Sequence, residues 1–284
     1  MGYRPNSAAQ GLASGQHRNI GVVVPDLSNP YFYDVIKAAS IAATQDGYRM
    51  LISDSQENAA DELNICLEQL SQVDGLLVLS SRIDVDGLRV LASQDQPIVL
   101  VNRIEFGIDL PFVAVDNFSA MLELCQHLVT LGHRRVVYLA GAQEAWQNRE
   151  RWRGVQQAKI VGLDAVAIQA GASIDGGYDA VEQALEQDPT AIIAFNDLAA
   201  AGVIARLHEL GLRVPEEISV TGFDDIEFAR HTQPPLTTAR SPKQALGDQS
   251  WAMLRAGLKG RRLAQPPLLT AEVVYRRSTG PARP

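Results

Sequence analysis

Two cysteines, Cys66 and Cys125, are all that 284 residues contain. That is too few for a disulfide framework, and both fall in apolar helical patterns, so they read as buried thiols of a reducing compartment. No apolar run approaches the roughly 20 residues needed to span a bilayer. The N-terminus has no basic-then-apolar export segment either, so a cytoplasmic protein with no membrane partner is expected. The five histidines, His17, His127, His133, His208 and His231, are scattered without metal-ligand spacing, and no metal is expected. No GxGxxG follows a strand-like run, and there is no GxxxxGK loop ending in Ser or Thr and no GxSxG elbow. Without a nucleophile–base pair the chain reads as a binder, not an enzyme, and no cofactor is expected. Acidic residues are missing from one place only. None precedes Asp26, although the chain carries Asp+Glu 33 against Lys+Arg 25. With a net charge of -8 the body repels nucleic acid, so any DNA partner must be met by a local element.

What is present is a repeated plan. At 46% hydrophobic residues the chain can bury a sizeable core and divides naturally into two lobes. Apolar strand-like runs alternate with helix-length amphipathic stretches, the pattern of an α/β fold with parallel sheets. The runs "NIGVVVPD", "YRMLISDS" and "DGLLVLSS" begin near Ile20, Tyr48 and Asp74. A second series, "RRVVYLAG", "LDAVAIQAG" and "TAIIAFND", begins near Arg135, Leu163 and Thr190, at shifts of 115, 115 and 116 residues. Two similar doubly wound lobes follow, with a ligand cleft between them. The expected division is residues 1–18 as a preceding linker, 19–117 plus about 243–264 as the first lobe, and 118–242 plus about 265–278 as the second. The last helix should run from about Lys243 to Leu258, and the tail "STGPARP" should be loose.

In open α/β sheets ligands bind beyond the carboxyl ends of the strands, which directs attention to Ser80, Ser81, Asn196 and Asp197. Asn29 and Pro30 in "DLSNPYF" suit a helix start, and Tyr31 or Phe32 next to them can offer an aromatic face to a sugar or base. Arg103 ends the apolar "PIVLVNR", and Arg149 opens the helix "NRERWRGV". Arginine forks suit vicinal hydroxyls, carboxylates or phosphates, but both also suit a solvated surface. Asn196 and Asp197 equally suit a helix cap, and Asp224 and Asp225 a turn.

The stretches "GYRPNSAAQGLASG…IGVVVPDLSNPYF", "LVTLGHRRVVYLAG", "AFNDLAAAGV", "VPEEISVTGFDDIEFA" and "PPLTTARSP" resemble the lactose-repressor family of bacterial transcription regulators, over essentially the whole chain. The core is also similar to periplasmic sugar-binding proteins of the ribose type. The resemblance implies an effector-sensing core that works as a homodimer, with helices such as Ala60–Gln72 at the interface. It further implies that the helix-turn-helix headpiece is missing, so that operator DNA is a partner of the full-length protein only. Ser7–Ser14 would be a minor-groove hinge helix, with Asn6, Ala9 and Leu12 as its DNA contacts and Leu12 wedged between base pairs. Carried over, Tyr31 and Phe32 would sandwich a sugar or sugar derivative beside Asn29. Arg103 and Arg149 would grip its oxygens, and Asn196 and Asp224 would complete the ring. Asn102 stands where the ribose-type proteins tend to have aspartate, and Arg240 where glutamine is expected. That exchange tilts the expectation toward an acidic or phosphorylated sugar. A transport-associated sugar-binding protein without a regulatory role is the alternative, but it should carry an export signal and lack the hinge.

Overall fold

The computed structural model describes residues 17–283, which form two compact units. The first comprises the chain up to Ser28, Phe32–Ala114 and Lys243–Leu269; the second comprises Asn29–Tyr31, Val115–Pro242 and the chain from Thr270. Asn6, Ala9 and Leu12 lie outside the described residues.

In the first unit the strands β1 (Asn19–Val24), β2 (Arg49–Asp54), β3 (Leu76–Leu79), β4 (Ile98–Val101) and β5 (Phe112–Val113) alternate with helices α1 (Tyr31–Gln45), α2 (Ala59–Leu70) and α3 (Val85–Ala92). The sheet order is β2-β1-β3-β4-β5, and every pairing is parallel. Four-residue apolar runs such as "LLVL" and "IVLV" are buried at every position, as a strand covered on both faces requires. Leu76, Val78, Leu88, Leu91 and Leu100 join one core cluster. Asn29 starts α1: its side-chain oxygen accepts the Tyr31 N–H at 3.0 Å, with Pro30 in the position that needs no donor. Strand β2 lies at an edge and leaves Leu51 and Ile52 exposed.

The second unit repeats the scheme. It contains α4 (Asn117–Thr130), β6 (Arg135–Ala140), α5 (Trp146–Gln157), β7 (Asp164–Gln169), α6 (Ile174–Asp179), α7 (Val181–Leu185), β8 (Ala191–Ala194), α8 (Asp197–Glu209) and β9 (Ser219–Thr221). Its parallel order is β7-β6-β8-β9. Strands β6, β7 and β8 begin 115 or 116 residues after β1, β2 and β3, so the shift read from the sequence is a shift of whole βαβ units. A short β10 (Thr238–Arg240) precedes α9 (Lys243–Leu258) of the first unit and pairs antiparallel with β11 (Glu272–Val274). Helices α6 and α8 touch backbone to backbone: a Cβ on Gly202 would lie 1.9 Å from the Ile174 carbonyl oxygen, and one on Gly177 2.1 Å from that of Ala199.

The tail expected to be loose is docked. Val220 N–H donates to the Ser278 carbonyl at 2.8 Å, the Ser278 hydroxyl donates to the Val220 carbonyl at 2.6 Å, and Ala282 N–H reaches the Leu131 carbonyl at 2.8 Å. Ser278 is fully buried. The polar tail satisfies the open edge of β9, where a row of backbone groups would otherwise lack partners. Among the described residues no helix is long and apolar enough to cross a membrane. Both cysteines are buried and free, and burial pushes the Cys125 thiol up to about 12 and Cys66 higher still. They are inert thiols at neutral pH.

Candidate functional site

At the carboxyl edge of the first unit's sheet, β3 and β4 each end in a left-handed residue, Ser80 (φ 48°) and Asn102 (φ 55°). Such conformations cost energy outside glycine and persist only where surrounding bonds fix them. Here Ser80 N–H is held by the Val101 carbonyl at 2.7 Å and Asn102 N–H by that of Val113 at 2.6 Å. The turn lifts Ser81, Arg82 and Arg103 above the sheet edge. Arg103 is 2% exposed; its Nη1 donates to the Ser81 carbonyl at 2.8 Å and its Nη2 to Glu105 at 3.1 Å. Behind it lies Glu62 on α2, 1% exposed, which accepts the Arg82 N–H at 2.7 Å. Burial raises the Glu62 carboxyl above its ordinary range, opposed by that N–H and the Ser81 hydroxyl. Arg82 is bound to Glu57 at 2.8 Å and 3.0 Å and also to the Ser80 carbonyl.

The second unit's edge is organised by a residue that sequence reasoning missed, Arg151. It is 3% exposed and three of its donors are engaged: Nε with Asn117 at 3.0 Å, Nη1 with the Phe195 carbonyl at 2.6 Å and Nη2 with Asp224 at 3.2 Å. The guanidinium lies 3.7 Å from the centre of the Phe223 ring and 4.6 Å from that of Phe195, the stacking that a planar, weakly hydrated cation favours. A guanidinium has five N–H donors, and these bonds use one on each of the three nitrogens. Helix α5 has no side-chain N-cap. Instead the Asn148 side-chain oxygen takes the Tyr138 hydroxyl at 2.9 Å and Gly141 N–H at 3.0 Å, which pins the first turn and aims Arg151 one turn later.

Consecutive aspartates divide the charge. Asp224 (φ 109°) turns to Arg151, whereas Asp225 (φ 49°) binds Arg240 Nε at 2.7 Å and Arg276 Nη2 at 2.6 Å. Burial opposes ionisation of Asp225, but the bonds from Arg240 and Arg276 outweigh it and hold its carboxyl below the ordinary range. Asp197 is fully enclosed and burial lifts its carboxyl well above the ordinary range, with Asp224 adding to the rise. It accepts Ile226 N–H at 2.8 Å and the Thr238 hydroxyl at 2.5 Å, so its role is structural.

Burial separates the other expected residues. Asn29, Tyr31, Phe32, Asn102 and Arg103 are all buried. Asn196 caps α8 through Ala199 N–H at 2.9 Å and also donates to the Ala172 carbonyl at 2.9 Å, so the capping reading holds for it. Arg149 is exposed, and the arginine joined to Asp224 is Arg151, two positions on. Alternate arginines on a helix fall on different faces: Arg149 and Arg153 share the outer one, and Arg151 shares the buried one with Gln147, Gly154 and Val155. That face, with Gly154 seated 2.8 Å (as a Cβ distance) from the Phe118 carbonyl, is the signal that could have found it. Arg240 leans on Asp225, not Asp224, beside an open pocket of about 480 Å³ with Glu227, Arg230 and Arg276. Among the described residues no cluster of His, Cys, Asp and Glu could hold a metal ion.

Residues 125–279 match the family described as periplasmic binding protein-like domain. The chain is 31% identical over 98% of its length to the HTH-type transcriptional repressor CytR of Escherichia coli (strain K12), covering 84% of that protein. It is 30% identical over 89% of its length to catabolite control protein A of Priestia megaterium, covering 79% of it. In structure it matches the transcription regulator CcpA of Lactococcus lactis with a TM-score of 0.84 at 25% identity, over 92% of this chain and 98% of that one.

Proposed function

The chain belongs to the lactose-repressor family of transcription regulators, and from that premise we propose that its sheet edges take up an uncharged, hydroxyl-rich effector. The observation that carries the proposal is Arg151: a buried guanidinium packed against the Phe223 and Phe195 rings and held by Asn117 and Asp224, with a further N–H on each Nη. Asn29, Tyr31, Phe32, Asn102, Arg103, Arg149, Asn196, Asp224 and Arg240 are proposed as its companions. Arg103 is matched by Glu105 and Arg151 by Asp224. Each buried cation already has a carboxylate partner, so an added phosphate or carboxylate would compete with Glu105 or Asp224 for it. This turns the expectation away from acidic sugars. Hydroxyls both donate and accept, and suit paired guanidinium–carboxylate groups.

Effector binding then changes the affinity for operator DNA. A coupling free energy of about 1–3 kcal/mol corresponds to roughly 5–150-fold. The chain turns over no substrate. It works as a homodimer, for which the outer side of β2 and α2 supplies a surface: a groove of about 540 Å³ lined by Leu51, Ile52, Ile65, Glu68 and Gln72.

A thermal-shift screen that pairs neutral sugars and nucleosides with their acids and phosphates tests the reading. A neutral compound at 100 times its Kd should add about 2.7 kcal/mol, and its phosphorylated partner should add nothing. Stabilisation by the anionic partners alone would reject the uncharged effector.

A further inference from the structure

We propose that Glu62 is a positioning residue for Arg103, acting through the single peptide unit that joins Ser81 to Arg82; the inference rests on reading Arg103 as an effector contact. The Ser81 carbonyl and the Arg82 N–H belong to one planar group and point in opposite directions. The N–H meets the Glu62 carboxylate at 2.7 Å, and the carbonyl meets Arg103 Nη1 at 2.8 Å. A buried carboxyl oxygen and a buried guanidinium therefore sit at the two ends of one peptide dipole, where each bond polarises and strengthens the other.

A second tie fixes the same plane. The Ser81 hydroxyl bonds Glu62 and accepts the Ile83 N–H at 3.1 Å. Glu57 acts elsewhere, holding the Arg82 guanidinium and not the peptide. Among the described residues of α2, Glu62 is the one that bonds this peptide. Turned over, the peptide would aim its N–H at the guanidinium and leave Arg103 without this acceptor. The feature also ties a proposed effector residue to α2, whose outer side lines the β2 groove.

The test uses the ligand-free chain labelled with 15N-arginine, following proton exchange at the Arg103 guanidinium and the Arg82 amide. Glu62→Leu should speed exchange at Arg103 by about tenfold or more, the loss of roughly one hydrogen bond's protection. Glu62→Gln, which keeps an acceptor for the Arg82 N–H, should restore the wild-type rate, and Glu57→Gln should leave Arg103 unchanged. The reciprocal variant Arg103→Met should speed exchange of the Arg82 amide, and it decides the matter if Glu62→Leu does not fold. Unchanged Arg103 exchange in folded Glu62→Leu, or an unchanged Arg82 amide in Arg103→Met, overturns the proposal. Because no effector is present, a failed ligand screen would count against the effector reading alone.

Discussion

The two units share a strand order and a 115- or 116-residue shift, yet they stabilise a buried arginine by different means. The first surrounds Arg103 with oxygen: Glu105, the Ser81 carbonyl and, behind that carbonyl, Glu62. The second sets Arg151 against the rings of Phe223 and Phe195 and pairs it with the carboxylate of Asp224. Topology dictates where polar groups emerge, at the carboxyl edges of parallel strands. It does not dictate how a cation there is neutralised. The units also differ in their supports, since the docked tail and the histidine-rich surroundings of α4 belong to the second alone.

The contrast can be broken most strongly at Arg151. Arg151→Met removes the guanidinium from the buried Asp224 pair, and breaking such a pair costs about 3–5 kcal/mol. Urea unfolding should register that loss, with hydrogen exchange rising across α5 and β9 while the first unit's β1–β3 core stays protected. A loss spread equally over both units would erase the distinction. Ser278→Ala comes next. It strips Thr237 N–H of its 2.8 Å acceptor and Val220 of its 2.6 Å donor, and each buried orphan costs about 1–3 kcal/mol. If the tail were incidental, stability would not move. Gly177→Ala forces a methyl against the Ala199 carbonyl, and overpacking of this kind costs about 1–3 kcal/mol. The corresponding fall in Tm, confined to the second unit, is the check.

The smallest effect is one of pH. Burial holds the pKa of His133 below its usual value, only partly opposed by its bond to the Gly280 carbonyl at 3.0 Å. The unfolded chain thus takes up the proton first. Stability from neutral His133 is complete above about pH 6.5 and is lost as pH falls from there through the lower folded value. Between neutral pH and about pH 5.5 the wild type should therefore lose more stability than His133→Gln, read at the tail amides. Equal slopes would remove His133 from the account.

Much of this was legible in the sequence because parallel strands buried on both faces are written as uninterrupted apolar runs, and the duplicate runs locate one another. Asn29 and Pro30 were legible as a helix start because capping chemistry is local. What escaped depended on tertiary partners. Arg149 and Arg151 differ in the string by two positions, and only the packing of α5, through Gly154 against Phe118, turns one outward and the other in. The pairing of Arg240 with Asp225 was likewise hidden, because the turn at Asp224–Asp225 that sets it is a tertiary feature. The tail looked loose because it is polar and short, and its partner, the open edge of β9, lies more than 50 residues earlier.

The central proposal is that the buried Arg151 anchors the effector, with the exposed Arg149 beside it. Calorimetric titration of the strongest neutral hit into Arg149→Ala and Arg151→Lys tests it directly. The expected result is a loss of about 100-fold or more for folded Arg151→Lys, the loss of two directed, charge-assisted bonds, and a smaller loss for Arg149→Ala. Binding that survives in Arg151→Lys and disappears in Arg149→Ala would contradict it.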